Sequence, residues 1–218
     1  GFEFYAPQVF ARRPSEPGPV LLTAWAGNAS EDDQPSIQSG QWVHALSLPR
    51  ALSLKNGRLI QRPATDLPHD AGQPALVGTP LDSGQYEPAE LHGHRSWQLR
   101  LEAEPDRTSG AWGVRIGTDR SYVDIILDGG ALRVDRSTSR YTQHGAERTV
   151  TLPEGCASVL EIVHDRSLTE VFVGDGALAF TMRSFVDPDS SGARLLAGGV
   201  LTLKSSRVRT FTPVPEAL

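Results

Sequence analysis

The sequence predicts an all-β protein whose second half is an antiparallel sandwich. Trp97, Leu99 and Leu101 alternate with polar residues, the period-two pattern of a half-buried strand. Similar short apolar runs recur up to residue 211, and glycine-rich turns such as Asp128-Gly129-Gly130 separate them. No segment shows a sustained helical period. We therefore expect nine or ten short strands in this half, folded as a sandwich.

Composition sets limits on what such a chain can bind. Its 218 residues, 39% of them hydrophobic, can bury one or two cores, and no apolar run is long enough to cross a membrane. A net charge of -5 and a pI near 5.7 argue against a nucleic acid or an anionic membrane as partner. We expect a soluble globular protein that binds neither.

Metal and disulfide chemistry is not indicated either. Cys156 is the single cysteine, so no internal disulfide and no thiolate cluster can form, and we interpret it as a small core residue. The six histidines lack a metal-binding spacing, and the closest pair, His92 and His94, is typical of a loop. We predict no cofactor and favour a cytoplasmic location over a secreted one.

The first 66 residues are predicted to form four or five short strands with turns between them. Asn56-Gly57 is the strongest local signal, because this pair favours a two-residue hairpin turn between Leu54 and Leu59. Residues 67–83 are rich in proline and glycine and are predicted to be a linker, with the sandwich domain at residues 84–218. The strands predicted before the linker lie near residues 2–6, 20–25, 42–48, 51–54 and 59–61.

An aromatic strand, with Phe2, Phe4 and Tyr5, stands at the very start of the chain with no initiator methionine or polar lead-in. Most domains place dispensable residues at their termini. We therefore expect that residues precede this strand in the complete protein.

Three motifs in fixed order resemble glycoside hydrolase family 32, the β-fructosidases. They are Phe-Tyr-Ala-Pro-Gln at residues 4–8, Leu-Thr-Ala-Trp-Ala-Gly-Asn at 22–28, and Trp42 leading into Leu-Ser-Leu-Pro-Arg-Ala-Leu at 46–52. Residues 132–137 and 161–176 are similar to strand-turn-strand segments of the family's second domain. The resemblance implies the last part of a five-bladed β-propeller followed by a β-sandwich, the C-terminal portion of such an enzyme.

The resemblance also implies a reaction, the retaining hydrolysis of a β-fructoside. The family's nucleophile lies in an Asn-Asp-Pro motif, a fructose-binding aspartate in Arg-Asp-Pro, and the acid/base in Glu-Cys. None of the three occurs here: Arg12-Arg13-Pro14 lacks the aspartate, and Gly155 separates Glu154 from Cys156. We expect no hydrolysis by this chain alone. Sucrose or a fructan is the implied substrate of the complete enzyme, the missing N-terminal propeller portion is the implied partner, and oligomer formation stays open.

Trp25, Tyr5 and Glu3 are the candidate substrate-binding residues that the resemblance implies. An aromatic ring at Trp25 could stack on the C–H groups of fructose, with plain propeller packing as the alternative. Glu3 stands where the family usually has aspartate, and Trp42 is expected in the core. Asp165 and Glu170 are interpreted as a turn residue and a salt-bridge residue, not as a catalytic pair.

A different class of function stays open at this point. A β-sandwich with surface aromatics such as Trp97 and Trp112 could be a non-catalytic carbohydrate-binding module or a structural module. The first 66 residues discriminate, because a free-standing module would not need propeller strands.

Overall fold

The structure is a computed structural model, which describes residues 1–10, 18–28, 34–40, 42–64, 76–187 and 192–211. Strands make up 54% of the structure and helices 6%, so the predicted all-β class is confirmed. In the described residues the strands form one N-terminal sheet and two larger sheets that face each other.

The N-terminal sheet is antiparallel, with β1, β2, β4 and β5 in that order and β3 paired to β2. Asn56 and Gly57 connect β4 to β5 with φ values of 52° and 75°, which confirms the hairpin predicted at this pair. The elements are β1 (Tyr5–Val9), β2 (Val20–Ala26), α1 (Pro35–Gly40), β3 (Ala45–Leu46), β4 (Arg50–Lys55) and β5 (Arg58–Pro63).

The sandwich consists of two six-stranded sheets in the described part of the chain. Their strand orders are β12-β11-β10-β9-β16-β7 and β15-β14-β13-β8-β17-β6. The strands are β6 (Pro80–Leu81), β7 (Gly84–Tyr86), β8 (Ser96–Ala103), β9 (Trp112–Gly117), β10 (Tyr122–Asp128), β11 (Ala131–Asp135), β12 (Glu147–Thr151), β13 (Val159–Asp165), β14 (Leu168–Val173), β15 (Leu178–Arg183), β16 (Ala193–Ala197) and β17 (Leu201–Thr210).

Strand β8 shows why this half folds as it does. Its alternate residues Trp97, Leu99 and Leu101 are fully buried between the sheets, as the alternation predicted. Each apolar strand face removed from water in this way stabilises the sandwich by about 25 cal/mol per Å². The intervening residue Gln98 is buried as well, and its amide donates to Glu161 on β13 over 2.7 Å.

Several local expectations were wrong. Helix α1 and strands β7 and β16 were not predicted, because these are short segments with weak periodicity. The sequence pattern predicts two strands, at residues 200–203 and 207–211, but the structure has the single strand β17, with a register shift between Leu203 and Ser205. Part of the predicted linker belongs to the sandwich, since β6 pairs with β17 and Leu81 is buried in the core. The first part of that linker lies outside the described residues.

The N-terminal sheet and the sandwich meet along the edge strand β15 and the turn that precedes it. The backbone N–H of Phe2 donates to the carbonyl of Thr181 over 3.0 Å, and that of Gln61 donates to the carbonyl of Gly176 over 2.9 Å. Phe2 also packs edge-on against Phe180, with ring centroids 5.4 Å apart. An edge that could pair with another chain is thereby covered.

Candidate functional site

Tyr5, Trp25 and Leu46 lie side by side on three neighbouring strands. Trp25 is directly opposite Tyr5 in the β1–β2 pairing and opposite Leu46 in the β2–β3 pairing. The ring centroids of Tyr5 and Trp25 are 6.0 Å apart at 60°. Tyr5 is 52% exposed and Trp25 is half-buried. These aromatic side chains can therefore offer apolar ring surface to a ligand such as a sugar.

His44 completes this group, which we call the aromatic wall (Tyr5, Trp25 and His44). Its ring stands at 90° to Trp25, with centroids 4.6 Å apart. A Cβ atom at Gly27 would lie 2.5 Å from Nδ1 of His44 and 2.8 Å from Nε1 of Trp25, so only glycine fits there. Sequence reasoning missed His44, because 19 positions separate it from Trp25 and no local pattern links them.

A β-bulge sets the orientation of Tyr5. The register between β1 and β2 shifts between Tyr5 and Gln8, and Ala6 has a φ of 45°. A positive φ is costly for alanine, so the surrounding pairing must hold this conformation. Bulges redirect side chains at sheet edges, and this one follows immediately after the exposed Tyr5.

Glu3 is only 2% exposed. Its two carboxylate oxygens accept hydrogen bonds from the Arg136 guanidinium over 2.7 and 3.0 Å, and Oε2 also accepts from the backbone N–H of Arg183 over 2.7 Å. The predicted contact between Glu3 and a sugar hydroxyl stays a prediction, and burial of the Glu3 carboxylate in an ion pair disfavours it. The sequence carried no sign of this partner, which is 133 positions away.

Arg50 and Glu170 form a second buried ion pair between the N-terminal sheet and the sandwich. Nε and Nη2 of Arg50 donate to Oε2 of Glu170 over 3.1 and 2.5 Å, and the backbone N–H of Leu48 donates to Oε1 over 3.0 Å. Burial raises the pKa of Glu170, and the charge and hydrogen bonds of Arg50 oppose that rise. The predicted salt-bridge role of Glu170 is confirmed.

Asp165 is the last residue of β13, at the start of the tight turn that the sequence predicted before β14. Arg166, the next residue, has a φ of 55°, and the Asp165 carboxylate accepts a hydrogen bond from the Ser96 hydroxyl over 2.7 Å. The turn is confirmed, and the Asp165 side chain is used in its packing.

Arg183 is the third arginine of this contact, and it is fully buried. It donates to the Ser167 hydroxyl over 3.0 Å and to the carbonyls of Ala26 and Val43 over 3.5 and 3.4 Å. Its guanidinium lies 4.8 Å from the ring centroid of Trp42. Trp42 is 38% exposed, so its expected core position was wrong. We call the five charged residues of this contact the joint: Glu3, Arg50, Arg136, Glu170 and Arg183.

The surface aromatics that would support a free-standing sugar-binding module are not at the surface. Trp97 is 0% and Trp112 is 5% exposed, and both belong to the sandwich core. Neither tryptophan can therefore form the surface on which that alternative module would bind a sugar.

The described residues contain no group of three or more His, Cys, Asp or Glu side chains arranged to hold a metal ion. No helix in this part of the chain has the length and apolar character needed to span a bilayer.

Comparison with known proteins agrees with this architecture. Residues 1–63 match the N-terminal domain of glycosyl hydrolases family 32, and residues 73–210 match the C-terminal domain of the same family. The chain belongs to glycosyl hydrolase family 32. The family resemblance of the opening motifs and of the second half is thereby confirmed.

Individual family 32 proteins extend the likeness over nearly the whole chain. A probable sucrose-6-phosphate hydrolase of Psychromonas ingrahamii is 33% identical over 196 residues, which cover 88% of this chain and 33% of that protein. Among solved structures, the exo-inulinase of Aspergillus awamori has a TM-score of 0.75 at 18% identity, covering 97% of this chain and 44% of that one. For the sucrose-6-phosphate hydrolase of Lactobacillus gasseri the TM-score is 0.67 at 22% identity, with 96% and 41% covered.

Two facts follow for this family 32 chain. Its fold is the last part of a five-bladed β-propeller followed by an antiparallel β-sandwich, as predicted. The chain spans about a third of the length of the curated relatives that it matches first.

Proposed function

We propose that this chain forms the C-terminal portion of a retaining β-fructofuranoside hydrolase that acts on sucrose or a fructan. In this proposal it contributes part of the wall of the fructose pocket, and the catalytic carboxylates belong to a propeller portion that precedes residue 1. Its relatives include a probable sucrose-6-phosphate hydrolase and its structural neighbours an exo-inulinase, which supports a fructoside as the substrate class.

The division of labour follows from the chemistry of glycoside hydrolysis. Retention requires one carboxylate that attacks the anomeric carbon and one carboxylic acid that protonates the leaving oxygen. The family motifs for these two groups are missing from the sequence. The chain alone is therefore expected to release no fructose.

The aromatic wall carries the proposal. Tyr5 and Trp25 occupy directly opposed positions on neighbouring strands, and Tyr5 exposes half of its surface. A sugar ring presents C–H groups on one face, which pack on an aromatic ring, while its hydroxyls need polar partners elsewhere. Trp25 and Tyr5 are thus the proposed substrate-binding residues, with His44 holding Trp25 in place.

The sandwich has a supporting role in this proposal. Arg136 binds Glu3, two positions before Tyr5, and Arg50 at the start of β4 binds Glu170. Because both ion pairs are buried, breaking either one leaves an uncompensated charge. The joint therefore fixes β1 and β4 against the sandwich, and with them the aromatic wall.

The test is fructose release from sucrose and from inulin. The purified 218-residue chain should be inactive, and a fusion that places the upstream portion of a sucrose-6-phosphate hydrolase relative before Gly1 should be active. A matched fusion with the upstream nucleophile replaced by alanine is the control.

Two results would contradict the proposal. Fructose release by the chain alone would mean that its own carboxylates are catalytic. A correctly folded fusion that binds a fructoside but does not cleave it would instead favour the non-catalytic sugar-binding module.

A further inference from the structure

His44 presents one buried and one accessible ring nitrogen at the aromatic wall. Its Nδ1 atom is buried and makes no hydrogen bond within the described part of the chain. Nε2 also lacks a hydrogen bond to any residue that the structure describes, but it is not buried, and the ring as a whole is half-buried. A ligand at the wall can therefore reach the imidazole of His44 through Nε2 and not through Nδ1.

The surroundings of Nδ1 determine which nitrogen carries the hydrogen. A Cβ atom at Gly27 would lie 2.5 Å from Nδ1 of His44 and 2.8 Å from Nε1 of Trp25, so both nitrogens border the same narrow space. The indole Nε1 can only donate, whereas a neutral imidazole has one donor and one acceptor nitrogen. A hydrogen on Nδ1 would place two donors side by side, with no acceptor for Nδ1 among the described residues. The hydrogen is therefore favoured on Nε2, which makes the accessible nitrogen a donor.

The segment that carries His44 is held in place before any ligand arrives. Arg183 donates to the carbonyls of Ala26 and Val43 over 3.5 and 3.4 Å, which ties the residue before His44 to the end of β2. The His44 ring stands at 90° to the Trp25 ring, with centroids 4.6 Å apart. Because the donor is fixed beside the aromatic ring, binding does not have to order it, and the entropic cost of binding is lower.

A sugar on the aromatic wall needs such a donor. Its C–H groups pack on aromatic rings, but its hydroxyl oxygens lose water there and require polar partners. Glu3, the charged residue predicted for this contact, has both carboxylate oxygens engaged by Arg136. Nε2 of His44 lies in the ring next to Trp25 and has no competing partner in the residues described.

We propose that His44 is a specificity-determining residue, whose Nε2–H donates a hydrogen bond to a hydroxyl oxygen of the fructosyl unit that packs on Trp25. This role rests on the proposed function, because the fructosyl ligand is taken from there. The observations that carry it are the buried Nδ1 beside the indole N–H, the accessible Nε2 and the fixed perpendicular ring. His44 thereby contributes a polar contact to the ligand in addition to its packing against Trp25.

The first experiment determines the tautomer of His44 in the purified chain. Long-range nitrogen–proton correlation spectra of the isotope-labelled chain distinguish a protonated ring nitrogen from an unprotonated one, and His44→Gln identifies the His44 signals by their loss. In the neutral ring, Nε2 should carry the hydrogen and Nδ1 should not. A hydrogen on Nδ1 would overturn the proposed role, whether or not the fusion is active.

The second experiment measures sucrose binding by calorimetry in the fusion whose upstream nucleophile is replaced by alanine. His44→Phe keeps a ring against Trp25 but has no donor, and it should weaken binding by roughly tenfold or more, the equivalent of about 1.4 kcal/mol. His44→Gln places an amide N–H near the position of Nε2 without the ring, and it should bind sucrose more tightly than His44→Phe does. His92→Phe is the matched control, because His92 is exposed on a loop of the sandwich, and it should leave the affinity unchanged.

The order of the variants separates hydrogen-bond donation from packing. If His44 only supported Trp25, His44→Phe would keep the affinity for sucrose and His44→Gln would lose it, and that order would overturn the proposed role. If His44→Phe does not unfold cooperatively in urea, His44→Ala takes its place, because alanine also lacks a donor. His44→Gln must then bind sucrose more tightly than His44→Ala, and the reverse order would refute the role of the donor.

Failure of this role can be told apart from failure of the proposed function. A fusion that binds sucrose but releases no fructose would contradict the hydrolase, and the order of the variants would still decide the role of His44. An active fusion in which His44→Phe keeps full affinity would remove the role of His44 alone.

Discussion

Replacing Arg136 with methionine should destabilise the protein more than the loss of an exposed ion pair would. The substitution keeps an unbranched apolar stem, but it removes both hydrogen bonds to the Glu3 carboxylate and the donors to the carbonyls of Gln143, Gly145 and Arg183. The side chains of Arg136 and Glu3 are both fully buried. Glu3 would then be a buried charge without its guanidinium.

The magnitude follows from two contributions. Removing one partner of a buried ion pair costs about 3–5 kcal/mol. Protonating a carboxylate at pH 7 costs about 4 kcal/mol. A buried carboxylate that has lost its partner would take up a proton rather than bear a larger desolvation cost, so protonation limits this contribution. Each of the three carbonyls that lose a donor adds about 1 kcal/mol. We expect a loss of about 6–7 kcal/mol, comparable to the whole stability of many domains.

The assay is urea unfolding, combined with hydrogen exchange of strand amides. Arg136→Met should lower the free energy of unfolding and speed exchange in β1 and β2 more than in β10. Arg115→Met is the matched control, since Arg115 makes a bidentate pair with Asp124 inside one sheet and lies over the Tyr122 ring. That pair is partly exposed, so its loss should cost only about 1–2 kcal/mol.

A rescue variant makes the reasoning refutable. Adding Glu3→Gln to Arg136→Met removes the stranded charge and should restore about 2–3 kcal/mol of the loss. If Arg136→Met cost no more than Arg115→Met, or if Glu3→Gln made the double variant less stable still, the joint would not owe its strength to a buried charge pair.

Three further predictions use the same structure. In the active fusion, Trp25→Ala should reduce catalytic efficiency by roughly 2 to 4 kcal/mol without early melting; early melting with normal turnover would make Trp25 a packing residue. Burial lowers the pKa of His164 from 6.5 to about 4. The free energy of unfolding should therefore fall by about 3 kcal/mol as the pH drops from above 6.5 to 4, because the unfolded state takes up the proton first. Urea unfolding of His164→Gln should lack this loss. Gly57→Ala should destabilise the protein by about 1 kcal/mol in thermal unfolding, because φ is positive at Gly57. Gly84, whose φ is not positive, is the control, and an equal loss in Gly84→Ala would contradict this reason.

Local patterns in the sequence were enough to predict most strands of the sandwich. The alternation around Trp97 and Leu99 reports which face of β8 is buried, because side chains point to opposite faces at successive positions. Asn56-Gly57 determined its own turn in the same way, since the required positive φ values depend only on these two residues. Segments with little periodicity, such as β16, carried no comparable signal.

Burial of single aromatic residues could not be obtained locally. The sugar-binding alternative needed Trp97 and Trp112 at the surface, and both are buried, while Trp42 was expected in the core and is exposed. A strand pattern shows which residues share a face, but it does not show whether that face meets another sheet or solvent. That depends on sheet packing, which the tertiary structure decides.

The sequence by itself determined the all-β class, the order of the two family domains and the aromatic motif that contains Trp25. Only the tertiary structure decided the partners: Glu3 with Arg136, Glu170 with Arg50, and His44 with Trp25. Ion pairs join positions 133 and 120 residues apart, and any arginine of the chain satisfies the charge rule equally well. The choice depends on how the N-terminal sheet docks on β15, because burial gives energetic weight only to those charges that docking brings together.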